Sequence, residues 1–468
     1  MSGVILHAFN WTYLEVASRA REIAGTGYGA VLLSPPLYSE QDGASWWQRY
    51  QPKDYRVIRS FLGGKADLEL AINSLHDHGV LVYIDVVFNH MANEKGQRSD
   101  PYSFPGESEL SRYRIERDQF EKDRLYGDLD HGLFSPWDFN PNGNIRNWND
   151  LNESQEHWLS GLPDLDLNNW VIQQQLSCLA ALNALGCDGY RIDAIKHLPL
   201  EHITRVFETA ELEGKFVFGE ALTANDLEED IFLWPLLHNT AISFYDFPLH
   251  ETLRRVFSPA GSMRELHDPA ATRQALPWNR AVTFSITHDI PYNEDFRWQM
   301  LDPQDEFLAN IYICCRDGGV PLVFSDHNES AENHEADRDR WSEAWRRADA
   351  AAMIAFHNAV HGAPQRSLFV SDGALVFARG ESGIVAINKT SQWQQASIWT
   401  YGLRHGRYRC LIHGYDMQVG GERFEFDIPP RQAQIWLCPE SETLWTSRTR
   451  HPFLQAPVPH QTGSKMPT

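Results

Sequence analysis

The stretch GYRIDAIKH, Gly189 to His197, carries an arginine two residues before an aspartate. On a strand, side chains alternate faces, so Arg191 and Asp193 point the same way while Ile192 points to the opposite, apolar side. A guanidinium keeps its proton, so it can hold a neighbouring carboxylate ionised and oriented. That is what a carboxylate nucleophile needs. Taken alone, the triplet reads more readily as a structural ion pair. Two further carboxylates change the weighing. Glu220 lies in the apolar run FGEAL, which suits an acid that must hold a proton, and Asp289 follows His288 in SITHD. Three clustered carboxylates serve either a metal or acid–base and nucleophilic chemistry on a glycosidic bond. A catalytic metal would recruit histidines at HxH or HxxxH spacing. His90 and His288 have no such partners, and offer hydrogen-bond donors to sugar hydroxyls instead.

These side chains need elements to bring them together. Short apolar runs alternate with helical stretches along most of the chain. The runs Val4–Trp11, Tyr28–Ser34, Val80–Phe88, Asp188–Ala194, Lys215–Leu222, Ala241–Phe247, Arg280–Thr287 and Val320–Ser325 read as buried parallel strands, each followed by a helical stretch. One such stretch is the helix expected over Asp226–Leu237. Eight strand–helix units predict an α/β fold, a (β/α)8 TIM barrel, whose functional residues gather at the C-terminal ends of the strands. Asp193, Glu220 and Asp289 then share one rim, with Asp85, Asn89 and His90 at the end of the third strand. Residues 89–168 are rich in Asp, Asn, Pro, Gly and aromatics, too long for a loop, and read as an inserted domain after that strand. The barrel is therefore expected over residues 1–88 and 169–361. From 362 to 438 short strands separated by turn residues predict a C-terminal antiparallel β domain of sandwich type, and 439–468 reads as a polar tail.

Composition excludes several function classes. The 468 residues are 42% apolar and 22% charged, and their formal net charge of -22 argues against nucleic acid or an anionic membrane surface as partner. A neutral ligand such as a sugar is not opposed, and sixteen tryptophans supply flat faces for one. No apolar run reaches membrane-spanning length. The six cysteines show no metal-type spacing and read as unpaired thiols, which fits a reducing compartment. With no leader pattern at the N-terminus, the expectation is a cytoplasmic protein, or a secreted one whose signal peptide has been removed.

The motifs, in order, resemble those of the α-amylase family, glycoside hydrolase family thirteen. DVVFNH, GYRIDAIKH, FGEAL and ITHD resemble its third-, fourth-, fifth- and seventh-strand motifs, and GLPDLD resembles a further one. GYGAVLLSPP and WWQRYQP are similar to segments of animal-type α-amylases. The resemblance implies Asp193 as nucleophile, Glu220 as acid and then base, and Asp289 as the carboxylate gripping sugar hydroxyls, with net retention of the α-anomer. It implies that Arg191 positions Asp193, and that His90 and His288 hydrogen-bond the sugar. Tyr50 becomes a stacking platform, Trp46, Trp47 and Gln51 line the donor side, and Lys196 reaches the acceptor side.

The resemblance also implies a structural Ca²⁺ joining insertion and barrel. Its matching ligands are Asn89, Asp164 and the carbonyl of His197, with the carbonyl of Gln155 as a further candidate; oxygen ligands suit that ion. Thr287 stands where chloride-binding relatives carry asparagine, so no chloride is expected. The implied activity is endo-hydrolysis of α-1,4-glucosidic bonds in starch, glycogen or maltooligosaccharides by a monomer. The alternatives are a 4-α-glucanotransferase or an exo-acting, maltooligosaccharide-forming amylase on the same scaffold. A non-catalytic binding member is a third reading, opposed by the presence of all three carboxylates.

Overall fold

Alternating faces decide where each apolar side chain goes. In the first strand Ile5 and Phe9 join one buried cluster and Leu6 and Ala8 another. The first cluster fills the inside of a barrel, and the second lies between the barrel and its helices. A computed structural model of the protein describes residues 3–39, 45–94, 103–326 and 339–438; the expected tail lies outside the described residues.

Strands β1 (Ile5–Phe9) and β2 (Ala30–Leu33) lead into a small antiparallel sheet of β3 (Leu37–Ser39), β4 (Pro52–Ser60) and β5 (Gly63–Gly64). The barrel resumes with β6 (Leu81–Val86), β7 (Gly189–Ile192), β8 (Phe216–Gly219), β9 (Ser243–Tyr245), β10 (Ala281–Thr283) and β11 (Val320–Asp326), and it closes by β1 pairing with β11. All neighbours are parallel, the TIM-barrel arrangement the alternation predicts. Side-chain caps set the helix starts. Thr12 and Glu15 form a capping box at Tyr13–Thr26, and the Asn168 side chain accepts from the Trp170 and Val171 N–H groups at Asn169–Leu185. Such a cap contributes about 1 kcal/mol.

Two local features differ from the alternation pattern. The stretch Asp226–Asn239 is not one regular helix: Glu229–Leu233 takes π-helical form between two short α segments. The segment between β2 and the helix Lys65–His76 holds the sheet β3–β5, which shares a core with the insertion. Tyr38 and Val57 pack with Tyr113, Phe120 and Leu129, and the Leu125 N–H donates to the Arg56 carbonyl at 2.6 Å.

The C-terminal strands are β12 (Gln365–Val370), β13 (Ala374–Arg379), β14 (Gly383–Asn388), β15 (Gln394–Trp399), β16 (Gly406–Cys410), β17 (Asp416–Val419), β18 (Arg423–Ile428) and β19 (Gln432–Leu437). Six form one sheet in the order β12-β13-β14-β19-β16-β17, and β15 and β18 form a second, both antiparallel. One face of the larger sheet, through Leu375, Phe377, Val385, Ile387 and Ile435, belongs to the same buried cluster as the barrel helices.

Candidate active site

Register brings the charges together. In the parallel pair β6–β7, Asp85 lies directly beside Arg191. Both point into the barrel, where each is fully buried. Arg191 Nη1 donates to Asp85 Oδ1 and Oδ2 at 2.8 and 2.7 Å, and to Asp193 Oδ1 at 2.8 Å. Its Nη2 lies 2.7 Å from Glu220 Oε1, an ion pair outside hydrogen-bond geometry. The guanidinium also sits 5.7 and 5.9 Å from the ring centres of Tyr50 and Tyr245.

Arg191 thus holds Asp193, as expected, and two further carboxyls besides. One guanidinium is shared by carboxylates from three adjacent strand ends. Burial pushes the Asp193 carboxyl well above its usual range; Arg191 pulls it down, while Glu220 and Asp85 push it up again. Burial likewise raises Asp85 to about 6. Asp289 is raised by burial and by the nearby Glu220. The unliganded cluster therefore has an excess of negative charge and takes up protons readily. Asp85 is the residue the motif pattern leaves without a task. Its signal was its position at the end of the third strand, but its role depends on cross-strand register.

The backbone fixes the carboxylates. After β7, the Asp193 N–H donates to Val86 O at 3.0 Å, and the Glu220 N–H to Ile192 O at 2.9 Å. Ala194 then adopts a left-handed conformation, φ 49° and ψ 35°, turning the chain so that its N–H faces Glu220 Oε2 at 3.4 Å. Gly219 makes room for that turn. A Cβ there would lie 2.6 Å from Ile195 Cδ1 and 2.7 Å from Cγ2, closer than real contacts allow.

Around the carboxylates stand flat and neutral groups. The imidazole of His288 is stacked between Phe9 and Tyr50, with ring centres at 4.4 and 4.9 Å, and its Nε2 lies 3.3 Å from Asp289 Oδ2. Trp46 meets Tyr50 and His288 edge-on, and Trp47 is 42% exposed in the same 3-10 turn, which ends at Gln51. The Tyr50 hydroxyl donates to Asp85 Oδ2 at 2.9 Å, and its carbonyl lies 2.9 Å from His90 Nε2. Burial holds His90 neutral, with its pKa down to about 4, and burial with Arg191 nearby pushes His288 well below its usual value. Lys196 Nζ donates to Leu222 O at 2.7 Å and lies over the Phe232 ring in the π-helical turn. The structure thus gathers Arg191, Asp193, Glu220, Asp289, Tyr50, Trp46, His90 and His288 at one barrel end.

Asn89, Asp164, Gln155 and His197 fall at the junction of insertion and barrel. The Asp164 backbone bridges to His90, and the Leu165 N–H donates to Asn89 O at 3.0 Å. His197 Nδ1 pairs with Ser154 O at 2.8 Å, beside Gln155. Asn89 Oδ1 is a buried acceptor with no partner. Asp164 is buried and raised well above its usual range, with Asn140 donating to Oδ2 at 2.7 Å. An orphaned amide oxygen beside a buried carboxylate fits a hard cation. Among the described residues no three His, Cys, Asp or Glu gather as metal ligands. A cation here would rest on one carboxylate, one amide and backbone carbonyls.

The profile described as "Alpha amylase, catalytic domain" matches residues 16–233, and that of the "Alpha amylase, C-terminal all-beta domain" matches 369–439. An alpha-amylase of Aeromonas hydrophila is 46% identical over 418 residues, covering 87% of this chain and 89% of that protein. An alpha-amylase of Thermomonospora curvata is 27% identical, covering 92% and 72%. Among solved structures, a variant of alpha-amylase I from Eisenia fetida in complex with maltohexaose superposes with a TM-score of 0.76 at 20% identity, covering 92% and 96%. A cyclomaltodextrin glucanotransferase does so at 0.69 and 20%, covering 93% and 99%. At that identity these structures bear on the fold alone.

Proposed function

Because the chain belongs to the α-amylase family of glycoside hydrolases, we propose that this site performs retaining endo-hydrolysis of α-1,4-glucosidic bonds in starch, glycogen or maltooligosaccharides. One observation carries the reading: Arg191 gathers Asp85, Asp193 and Glu220, with Asp289 close to Glu220. A carboxylate held on one oxygen and a second carboxyl beside it, to serve as acid and then base, are the two halves of double displacement.

Asp193 attacks the anomeric carbon through the oxygen that Arg191 does not hold. The C1–O bond breaks as Glu220 gives its proton to the leaving oxygen, and a glycosyl–Asp193 ester forms. Water then attacks C1, Glu220 takes its proton, and Asp193 leaves as carboxylate. Two inversions restore the α-anomer. Asp289 accepts hydrogen bonds from sugar hydroxyls. His288, held neutral, donates to a hydroxyl without adding charge, while His90 gives its N–H to the Tyr50 carbonyl and steadies that residue. Tyr50 and Trp46 supply flat walls, with Trp47 and Gln51 beyond them. Lys196 borders the acceptor side.

Asn89, Asp164 and the carbonyls of Gln155 and His197 are the residues that would hold a Ca²⁺. The ion would pin the insertion to the end of β6 and satisfy the buried oxygens, and it supplies no chemistry to the reaction. No chloride is required. No described helix is long and apolar enough to cross a membrane. Six buried, unpaired cysteines support a reducing, cytoplasmic setting, and the enzyme is taken to act as a monomer.

A product time course on maltoheptaose tests the reaction. A spread of shorter products agrees with endo-hydrolysis. One dominant product, or products longer than the substrate, would overturn it in favour of exo-action or transfer.

A further inference from the structure

The outer face of the two-stranded sheet β15–β18 is built unlike an ordinary solvated surface. Its inner face is conventional: Ala396, Ile398 and Ile428 are buried, and Phe426 packs edge-on against Trp436 of the larger sheet. Outward, at period two, stand Gln395, Ser397 and Trp399, with Trp393 just before the strand and Tyr401 in the turn after it. The three aromatic residues are 64%, 58% and 89% exposed. Burying one such ring elsewhere would be worth roughly 2 kcal/mol or more, so three on one strip call for an occupant.

The facing strand supplies polar groups in register. Ser397 lies opposite Glu425, and Trp399 opposite Arg423. Ser397 Oγ donates to Glu425 Oε1 at 3.1 Å. The Arg423 guanidinium sits 5.0 Å over the Trp399 ring, which steadies the indole while leaving most of it open. Five residues lie between the two tryptophans, a span of about 20 Å at the usual rise per residue. The pattern is ring, polar gap, ring.

The geometry points to this face as a second binding surface for an α-glucan chain, outside the catalytic cluster. A sugar polymer offers apolar ring faces for the indoles and hydroxyl edges for Ser397, Glu425 and Arg423. It is neutral, which suits a strip with carboxylates on a chain of net charge -22. Nucleic acid and anionic lipid are repelled by the same charge. This inference rests on the proposed substrate class. A polymer-degrading enzyme gains local substrate concentration from a second contact on the same chain.

The test is the Trp393→Ala/Trp399→Ala double variant of the full chain. Retardation in native gels containing amylopectin measures polymer binding, and maltoheptaose turnover measures the catalytic site. We expect the dissociation constant for amylopectin to rise about tenfold, the scale of aromatic anchors, with kcat/KM on maltoheptaose unchanged within about twofold. Trp399→Phe, which keeps a ring, should retain most of the retardation. Unchanged retardation in the double variant would overturn the proposal. So would a native dimer that the double variant converts to monomer, because a second copy would then be the occupant. Loss of the function reading would look different: the native chain would fail to cut maltoheptaose.

Discussion

At the scale of single residues, the site is a problem of too many carboxylates for one guanidinium. Asp85 is the least obvious member and the most informative. It takes both its oxygens to Arg191 and pushes the neighbouring Asp193 upward in pKa. Removing its charge frees Arg191 for Asp193 and removes a repulsion, and both effects lower the Asp193 pKa. Asp85→Asn should therefore shift the acid limb of kcat/KM to lower pH, whatever it does to the maximum. The measurement is a pH–rate profile of the two proteins; an acid limb that stays put or moves up would contradict the shared-guanidinium description. The pairing of Arg191 with Asp193 could be read from i, i+2 alternation alone. The pairing with Asp85 could not, because 106 residues separate them and only the β6–β7 register makes them neighbours.

At the scale of elements, backbone geometry does the positioning. Gly219 is small because Ile195, in the turn after Asp193, occupies the space a Cβ would need. Gly219→Ala should cost about 1–3 kcal/mol of stability through overpacking. It should also lower kcat/KM on the order of tenfold to a hundredfold as the turn shifts. Thermal melts and kinetics of the one variant check both; wild-type values in both would show that the turn has slack. The junction of β6 with the insertion makes a separate prediction. Chelation by EDTA should lower the melting temperature by about 5 °C, and Asn89→Ala should abolish most of that difference. An EDTA-insensitive melt would remove calcium from the description. The eight barrel strands were legible because buried parallel strands are continuous apolar runs. The strand β4, PKDYRVIRS, was not, since it is polar in sequence and is buried between the barrel core, through Tyr55 and Ile58, and the insertion, through Val57. The π-helical turn at Glu229–Leu233 leaves no mark in the periodicity either.

At the scale of the whole molecule, the C-terminal domain is bolted to the barrel. Lys389 Nζ donates to the carbonyls of Val256, Ser258 and Gly261, and Arg379 to those of Cys315, Arg316, Ala363 and Val360. The apolar cluster runs continuously across the junction. The domains should therefore melt together, and Lys389→Met, which leaves three carbonyls without their donor, should lower stability by about 1–3 kcal/mol. Calorimetry reads both; two separate transitions in the native chain would contradict the shared core. All of the proposed chemistry nonetheless rests on one transient bond, between Asp193 and the anomeric carbon. Glu220→Gln exposed to α-maltotriosyl fluoride isolates it. Fluoride leaves without acid help, while hydrolysis of the ester lacks its base, so the intermediate accumulates. Peptide mass spectrometry should find a maltotriosyl unit on the peptide containing Asp193, and on no other. No adduct, or one on Asp289 or Asp85, would contradict the assignment of Asp193 as nucleophile.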